Sequence, residues 1–417
     1  MVSKVISSAV IYIISSGFTQ LVSLLFTLVL MGELTIEEYG TYSLIAAFTA
    51  IFSFVIDGGL TGYIIKEFNN NKFDLRIGNK ERNYFISNVF LYQFAATFVL
   101  LVCYFLVVLF IADSGIQSNY LAFGVTTLIL GLSSPAFALL VANEKRQVVI
   151  VKDVCTALLR LVIVFTGFKI GLDYNFVYYI PLIAFIVSLI AMIYSYKRII
   201  VGFEFIYFNF SSSMKSIFSL VFPFLMLALL NVLYTKIDFI MLSELSTHIE
   251  VAYYSGATIF VYPFLFVIAA ANSAILPFLS RQNEIQPNRA KDEISIFKFM
   301  FIIGLVISTI LFILSDAFYS NLFDGKYELS KSIYQILVWY LLIVFCYTAM
   351  TNLLVARGRI KLLIYMNGVM LMFNIGLNYL MIPSLGAKGA AIATIISELV
   401  ILFFLWFMIY GKRVRDA

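Results

Sequence analysis

An all-α polytopic membrane protein, with about twelve transmembrane helices in two parallel six-helix repeats around a central cavity, is the fold class this sequence predicts. Three observations predict it. The first is composition: of 417 residues 62% are apolar and only 12% charged, about half the charged share of an ordinary soluble domain. Such a chain cannot cover its apolar surface with polar side chains, which excludes a soluble monomer. The second is run length, since no long stretch has soluble composition and each bilayer crossing needs roughly 20 apolar residues. The third is an internal repeat.

Apolar segments bounded by charged or polar clusters fall near 5–31, 39–65, 84–112, 119–142, 147–169, 176–196, 214–242, 251–279, 296–319, 332–356, 360–382 and 387–410. They are far longer than barrel strands and do not alternate. In lipid the backbone must satisfy its own hydrogen bonds, so helices follow. The first segment follows a single cation, Lys4, and is too long for a signal-peptide core. It reads as a retained crossing.

Of the 28 Lys and Arg, four lie in the odd-to-even loops (Lys169, Lys326, Lys331, Lys388) and two within crossings (Arg160, Lys236). The remaining 22 lie at the termini, in the even-to-odd loops and at the helix ends beside them. Acidic residues divide evenly between the two sides. By the positive-inside rule both termini are cytoplasmic.

The halves resemble each other at an offset of 211 to 214. Glu33 and Leu34 recur as Glu244 and Leu245; Glu38, Tyr42 and Ser43 as Glu250, Tyr254 and Ser255; the run LLVA at 139–142 as LLVA at 353–356. An offset of six crossings preserves orientation, so the repeats are parallel, an arrangement found in secondary transporters. The expected domains are a six-helix bundle at 1–200, a cytoplasmic linker at 201–213 and a second bundle at 214–417.

Several function classes are excluded or disfavoured. The net charge of +5 is spread over many short loops, so no nucleic-acid partner is expected. Cys103, Cys155 and Cys346 sit inside apolar runs with one histidine in the chain, His248, which argues against a zinc site or disulfide framework. His248 itself reads as a solvated loop residue. No G-x-x-x-x-G-K-[ST] motif occurs, so movement is either passive or coupled to an ion gradient or the membrane potential rather than to ATP in this chain. No metal or cofactor is expected; H+ or Na+ is the candidate coupling ion.

Polar positions inside the crossings are the candidate site. Tyr12, Ser16, Gln20, Ser23 and Thr27 share one face of the first crossing. The corresponding face of the seventh holds Pro223, Leu227, Asn231, Tyr234 and Asp238. These faces point to a polar cavity, against the alternative of interhelical hydrogen bonding. Asn367, Asn374 and Asn378 share a face of the eleventh crossing. Asp57-Gly58-Gly59 in the second, and Pro263, Pro277 and the run AAANSA at 269–274 in the eighth, allow bends or tight packing.

With charges toward the helix ends assigned to the loops, five fall within crossings: Asp57, Arg160, Lys236, Asp238 and Glu398. Each costs a few kcal/mol at mid-bilayer, so a function or a buried partner is the default. Arg160 lies deep enough to face water or an anion, such as a pyrophosphate, with a structural ion pair between helices as the competing reading. Asp57 and Asp238 are candidates for ion coupling; Glu398 is a third, with a structural ion pair as the competing reading. Lys236 and Asp238 lie about 200° apart around one helix and do not pair.

With these residues in view, a family resemblance becomes usable. YTKIDFIM at 234–241 with EVAYYS at 250–255, LNYLMIP at 377–383 with GAKGAAIATIISE at 386–398, and EEYG at 37–40 with DGGL at 57–60 resemble the polysaccharide-flippase branch of the multidrug/oligosaccharidyl-lipid/polysaccharide exporter superfamily. The resemblance implies a Wzx-type flippase. Such a protein moves an undecaprenyl-pyrophosphate-linked oligosaccharide, an O-antigen or capsule unit, from the inner to the outer leaflet of the bacterial inner membrane by alternating access around a cationic cavity. It works beside a polysaccharide polymerase and a chain-length regulator. Arg160 and Lys236 are the positions that would supply the cationic character. The first crossing has no arginine, unlike the peptidoglycan-precursor branch. The alternatives are a cation-coupled multidrug antiporter of the same superfamily and a membrane-embedded polymerase, which would need a larger outer loop than this chain offers.

Overall fold

The structure is a computed structural model. It describes residues 2–57, 59–70, 80–111, 115–198, 210–268, 271–272, 275, 279, 289–322, 325–357 and 359–415. These are helical almost throughout, with no strand among them. The helices are α1 (Val2–Glu33), α2 (Ile36–Asp57), α3 (Leu60–Asn70), α4 (Lys80–Ile111), α5 (Gln117–Leu128), α6 (Ser134–Ala142), α7 (Arg146–Lys169), α8 (Pro181–Arg198), α9 (Phe210–Leu245), α10 (His248–Thr258), α11 (Arg289–Ile313), α12 (Ser315–Leu322), α13 (Glu328–Ala356) and α14 (Ile360–Arg415).

Nine stretches of the described residues are long and apolar enough to cross a membrane. The last, Lys361–Ile409, spans 49 residues. At 1.5 Å per residue that is about 74 Å, enough for two crossings of a core of about 30 Å. It divides at Gly386, whose φ of 55° and ψ of −135° interrupt α14. α7 is not among the nine, because Lys152, Asp153 and Arg160 occupy its middle.

Two predicted crossings are broken helices. The expected 39–65 segment is α2 followed by α3, and the break carries Gly59 at φ +83°. A Cβ there would come within 2.2 Å of the Phe224 Cβ, so the position requires glycine both for its torsion and for its space. The expected 119–142 segment is α5, a tighter 3₁₀ turn over Ile129–Ser133, then α6. A proline at the start of α6 suits a helix beginning there. Gly58, the linker residues 201–209, Ala269, Ala270, Ser273, Ala274 and Pro277 lie outside the described residues, as do the side chains of Asp57 and Tyr12.

The chain forms two compact units. Unit 1 comprises Met1–Leu30 with Ile45–Lys236, and unit 2 comprises Met31–Leu44 with Ile237–Ala417. Lipid supplies little hydrophobic drive between helices, so packing and hydrogen bonds hold each unit. In unit 1 the Tyr104 hydroxyl donates to the Tyr120 carbonyl at 2.7 Å and lies 3.0 Å from Thr49 Oγ1. Its ring packs where a Cβ at Gly124 would stand. A buried cluster around Leu60, Ile64, Phe68, Val89 and Leu139 gathers α3, α4 and α6, with Ile217 and Val221 of α9. In unit 2 a second cluster around Met350, Leu353, Leu354, Met366 and Leu405 joins α13 to both arms of α14. Phe110 at 86% and Phe403 at 72% exposure show the outer faces left to lipid.

The repeat is visible in the caps. Thr35 and Glu38 form a reciprocal capping box, Glu38 N donating to Thr35 Oγ1 at 3.3 Å and Thr35 N to Glu38 Oε2 at 2.8 Å. At the equivalent place Glu250 N donates to Thr247 Oγ1 at 3.3 Å, but the Glu250 carboxylate instead accepts from Ala387 N at 2.7 Å, at the start of the second arm of α14. His248 is not a free loop side chain. It opens α10 half-buried, its Nδ1 lies 3.2 Å from Thr41 Oγ1, and its carbonyl fills the space a Gly40 side chain would take.

Candidate functional site

Unit 1 contains two polar cavities that share a wall on α7. The smaller, about 260 Å³, lies between α1 and α7 and is lined by Ser15, Ser16, Thr19, Gln20 and Ser23 on one side and Asp153, Thr156 and Arg160 on the other. The larger, about 520 Å³, takes in Thr61 of α3, Ser133, Ser134 and Phe137, Lys152, Asp153, Thr156 and Arg160 of α7, and Ser188 of α8. Helix geometry explains the wall. Lys152, Thr156 and Arg160 are spaced four and four, which stacks them on one face. Lys152 Nζ pairs with Asp153 Oδ1 at 2.8 Å and sits 4.5 Å from the centre of the Phe137 ring. Several hydroxyls on these helices return a hydrogen bond to their own backbone, Thr19 to Ser15 O at 2.9 Å and Thr156 to Lys152 O at 2.8 Å. This holds the rotamers and leaves oxygen lone pairs toward the cavities.

Unit 2 holds a second polar cluster, in which side chains hydrogen-bond to one another. Asp238 of α9 is 2% exposed. Its Oδ2 accepts from the Tyr254 hydroxyl at 2.6 Å and from Thr394 Oγ1 at 2.8 Å, and its Oδ1 accepts from Asn378 Nδ2 at 2.7 Å. The Asn378 amide also donates to Asn374 Oδ1 at 3.0 Å, and Asn374 Nδ2 reaches Ser397 Oγ at 3.5 Å. Glu398, next to Ser397, is fully buried. The Thr394 proton is shared between Asp238 and the Ala390 carbonyl at 3.0 Å, and Asn378 Oδ1 is buried without a donor. The cluster therefore has more acceptor capacity than protons to fill it.

The structure gathers the sequence candidates into two groups. Ser16, Gln20, Ser23 and Arg160 share the smaller cavity of unit 1. Asp238, Asn374 and Asn378 share the network of unit 2, with Glu398 beside it. Asn231, Tyr234 and Lys236 lie on the part of α9 that belongs to unit 1, and the walls of these two cavities do not include them. The Asp57 side chain lies outside the described residues. Sequence reading passed over Lys152, Asp153, Tyr254 and Thr394. The spacing Lys152, Thr156, Arg160 was available as a signal; Lys152 had been counted with the inner loop cations. Tyr254 appeared only as a repeat match, and Thr394 carries no periodic signal.

A multi-crossing, all-helical chain with charged and polar groups held inside both units has the fold of a membrane transporter, and solved structures share it. An inward-facing multidrug resistance MATE family transporter of the MOP superfamily superposes with a TM-score of 0.74 at 14% identity, covering 96% of each chain. Lipid II flippase MurJ in an inward closed conformation gives 0.75 at 14% identity, over 96% of this chain and 87% of that one. The Vibrio cholerae MATE transporter VcmN gives 0.64 at 15% identity over 99% of each. At these identities the likeness is one of fold. The chain belongs to the polysaccharide biosynthesis protein family, whose model matches residues 5–283. A second model, described as MatE, matches residues 223–380. No curated protein matches the sequence.

Proposed function

We propose that this protein is a flippase for a diphosphate-linked saccharide. It carries an undecaprenyl-pyrophosphate-linked oligosaccharide, an O-antigen or capsule repeat unit, from the cytoplasmic to the outer leaflet of a bacterial inner membrane by alternating access, with both termini in the cytoplasm. The observation that carries the reading is Arg160 in the shared wall of two polar cavities, with Lys152 in the larger. Two cations facing polar space at membrane depth suit phosphate oxygens, to which charge-assisted hydrogen bonds are strong. The hydroxyl and amide lining of α1 suits a sugar. Membership of the polysaccharide biosynthesis family supports the cargo class.

Ion coupling belongs to unit 2 in this reading. The recorded partners of the buried Asp238 carboxylate are neutral donors, Tyr254, Thr394 and Asn378. Together with the unfilled Asn378 Oδ1 it forms an acceptor-rich place for a proton or a sodium ion. Asp57 and Glu398 are secondary candidates. The same acidic network favours the competing reading, a cation-coupled antiporter of small molecules, which the MatE match over 223–380 also supports. A polymerase and a chain-length regulator are the expected working partners of a flippase.

Proteoliposomes separate the two readings. A flippase delivers a fluorescent lipid-linked oligosaccharide to the outer leaflet and leaves a cationic dye untransported. Dye antiport with no movement of the lipid-linked oligosaccharide sinks the flippase reading.

A further inference from the structure

The two cavities of unit 1 differ in chemistry, and Asp153 stands in the wall of both. The larger has two cations, Lys152 and Arg160. The smaller has neutral donors and acceptors on its α1 side, Ser16, Gln20 and Ser23 among them, faced from α7 by Asp153 and by Arg160 but not by Lys152. Its 260 Å³ equals the volume of roughly eight or nine waters at about 30 Å³ each, enough for a single sugar ring. Asp153 holds Lys152 at 2.8 Å, yet its side chain is 47% exposed against 19% for the lysine. A half-exposed ion pair of this kind is weak and easily displaced.

We infer that Asp153 selects the first sugar of the cargo, accepting an uncharged ring and rejecting one that carries a carboxylate. The inference rests on the reading of unit 1 as a diphosphate-binding site. A diphosphate in the larger cavity competes with Asp153 for Lys152, since its oxygens bond Lys152 and Arg160 together. The released carboxylate is an acceptor only. It faces the smaller cavity, where the sugar next to the diphosphate would sit, and there it accepts from ring hydroxyls or an amide N–H. A hexuronic acid in the same place sets two carboxylates against each other, and the one remaining cation, Arg160, is already engaged by the diphosphate. The cargo class is thus a diphosphate-linked glycan whose first sugar is neutral.

The experiment is a calorimetric titration of the full-length protein in detergent with three probes: polyprenyl diphosphate, the same lipid carrying N-acetylglucosamine, and the same lipid carrying glucuronic acid. The wild-type protein binds the N-acetylglucosamine probe at least about tenfold more tightly than the glucuronic acid probe. Asp153→Asn brings the two within about threefold, mainly by tightening the acidic one, while Asp153→Glu keeps the preference. Equal binding of both sugars by the wild type, or a preference that survives Asp153→Asn, overturns the inference. Arg160→Ala tests the reading beneath it through the sugar-free probe. If that variant binds polyprenyl diphosphate as tightly as the wild type, the diphosphate site falls, whatever Asp153 does.

Discussion

Arg160 of α7 in unit 1 and Asp238 of α9 in unit 2 are both ionisable groups on long helices, but they are housed in different ways. Arg160 lines two cavities together with hydroxyls, an amide and a second cation. Asp238 is 2% exposed and accepts three hydrogen bonds of 2.6 to 2.8 Å from neighbouring side chains. The first arrangement keeps space beside the charge for a ligand group. The second surrounds the charge with neutral donors. A large anionic cargo therefore suits unit 1 and a coupling ion suits unit 2. The contrast also says which changes harm folding and which harm transport alone.

Asp238→Ala is the largest expected effect. It strands the donors of Tyr254 and Asn378 in a buried place, and each stranded donor costs about 1–3 kcal/mol. The apparent melting temperature in detergent falls by several degrees and export falls with it. Asp238→Asn keeps the shape and most of the bonds; it retains most of the stability while transport stops responding to the ion gradient. If Asp238→Asn transports with an unaltered ion dependence, unit 2 does not hold the coupling site.

Arg160→Ala reverses the pattern. The side chain lines both cavities of unit 1, so its loss lowers the melting temperature by less than Asp238→Ala does. A hydrogen bond to a charged group contributes about 1.5–3 kcal/mol, so export falls roughly tenfold or more. Arg160→Lys retains part of it. Normal export by the alanine variant, at normal membrane abundance, removes unit 1 as the cargo site.

Thr394→Val separates shape from hydrogen bonding in unit 2. It removes one donor to Asp238 and leaves two. Interhelical bonds within membranes average about 0.6 kcal/mol, so the melting temperature drops slightly, by clearly less than for Asp238→Ala. An equal drop for the two variants would mean that packing, and not the carboxylate, organises the cluster.

What sequence alone could see follows from the range of the interactions involved. The crossings were legible because each is a local run of apolar residues. The α1 face at Ser16, Gln20 and Ser23 was legible because helical periodicity is local too, and the structure places these residues in one cavity with Arg160. Asp238, Asn374 and Asn378 were picked out one by one, as polar residues in lipid. Their meeting was not legible, because it depends on contacts spanning 140 residues from α9 to α14, with Tyr254 and Thr394 completing the cluster. Lys152 and Asp153 were missed because a charge near a predicted helix end reads as a loop charge. The breaks at Gly59 and Ile129–Ser133 were hidden inside unbroken apolar runs, and only the packing of Phe224 on Gly59 explains the first.

The smallest effect concerns the turn between α1 and α2, which unit 2 holds through a single lysine. Lys326 Nζ donates to the Met31 carbonyl at 2.9 Å and to the Gly32 carbonyl at 3.5 Å, near the end of α1, and also to the Leu34 carbonyl. A cation is favoured at a helix C-terminus, where carbonyls lack partners. Lys326→Met keeps the stem and removes these bonds, costing about 1 kcal/mol or less at a partly exposed site. The lysine also has a pH signature. Partial burial pulls its pKa below 10.5, while Glu38 and Glu33 oppose the shift. The folded state thus gives up this proton before the unfolded state does. Between the lowered value and 10.5 the unfolded chain binds more protons, so this group makes stability rise with pH across that window. The rise, measured as melting temperature against pH, is present in the wild type and absent in Lys326→Met. An identical profile in both would mean that the ammonium is solvated and the turn is held by packing alone.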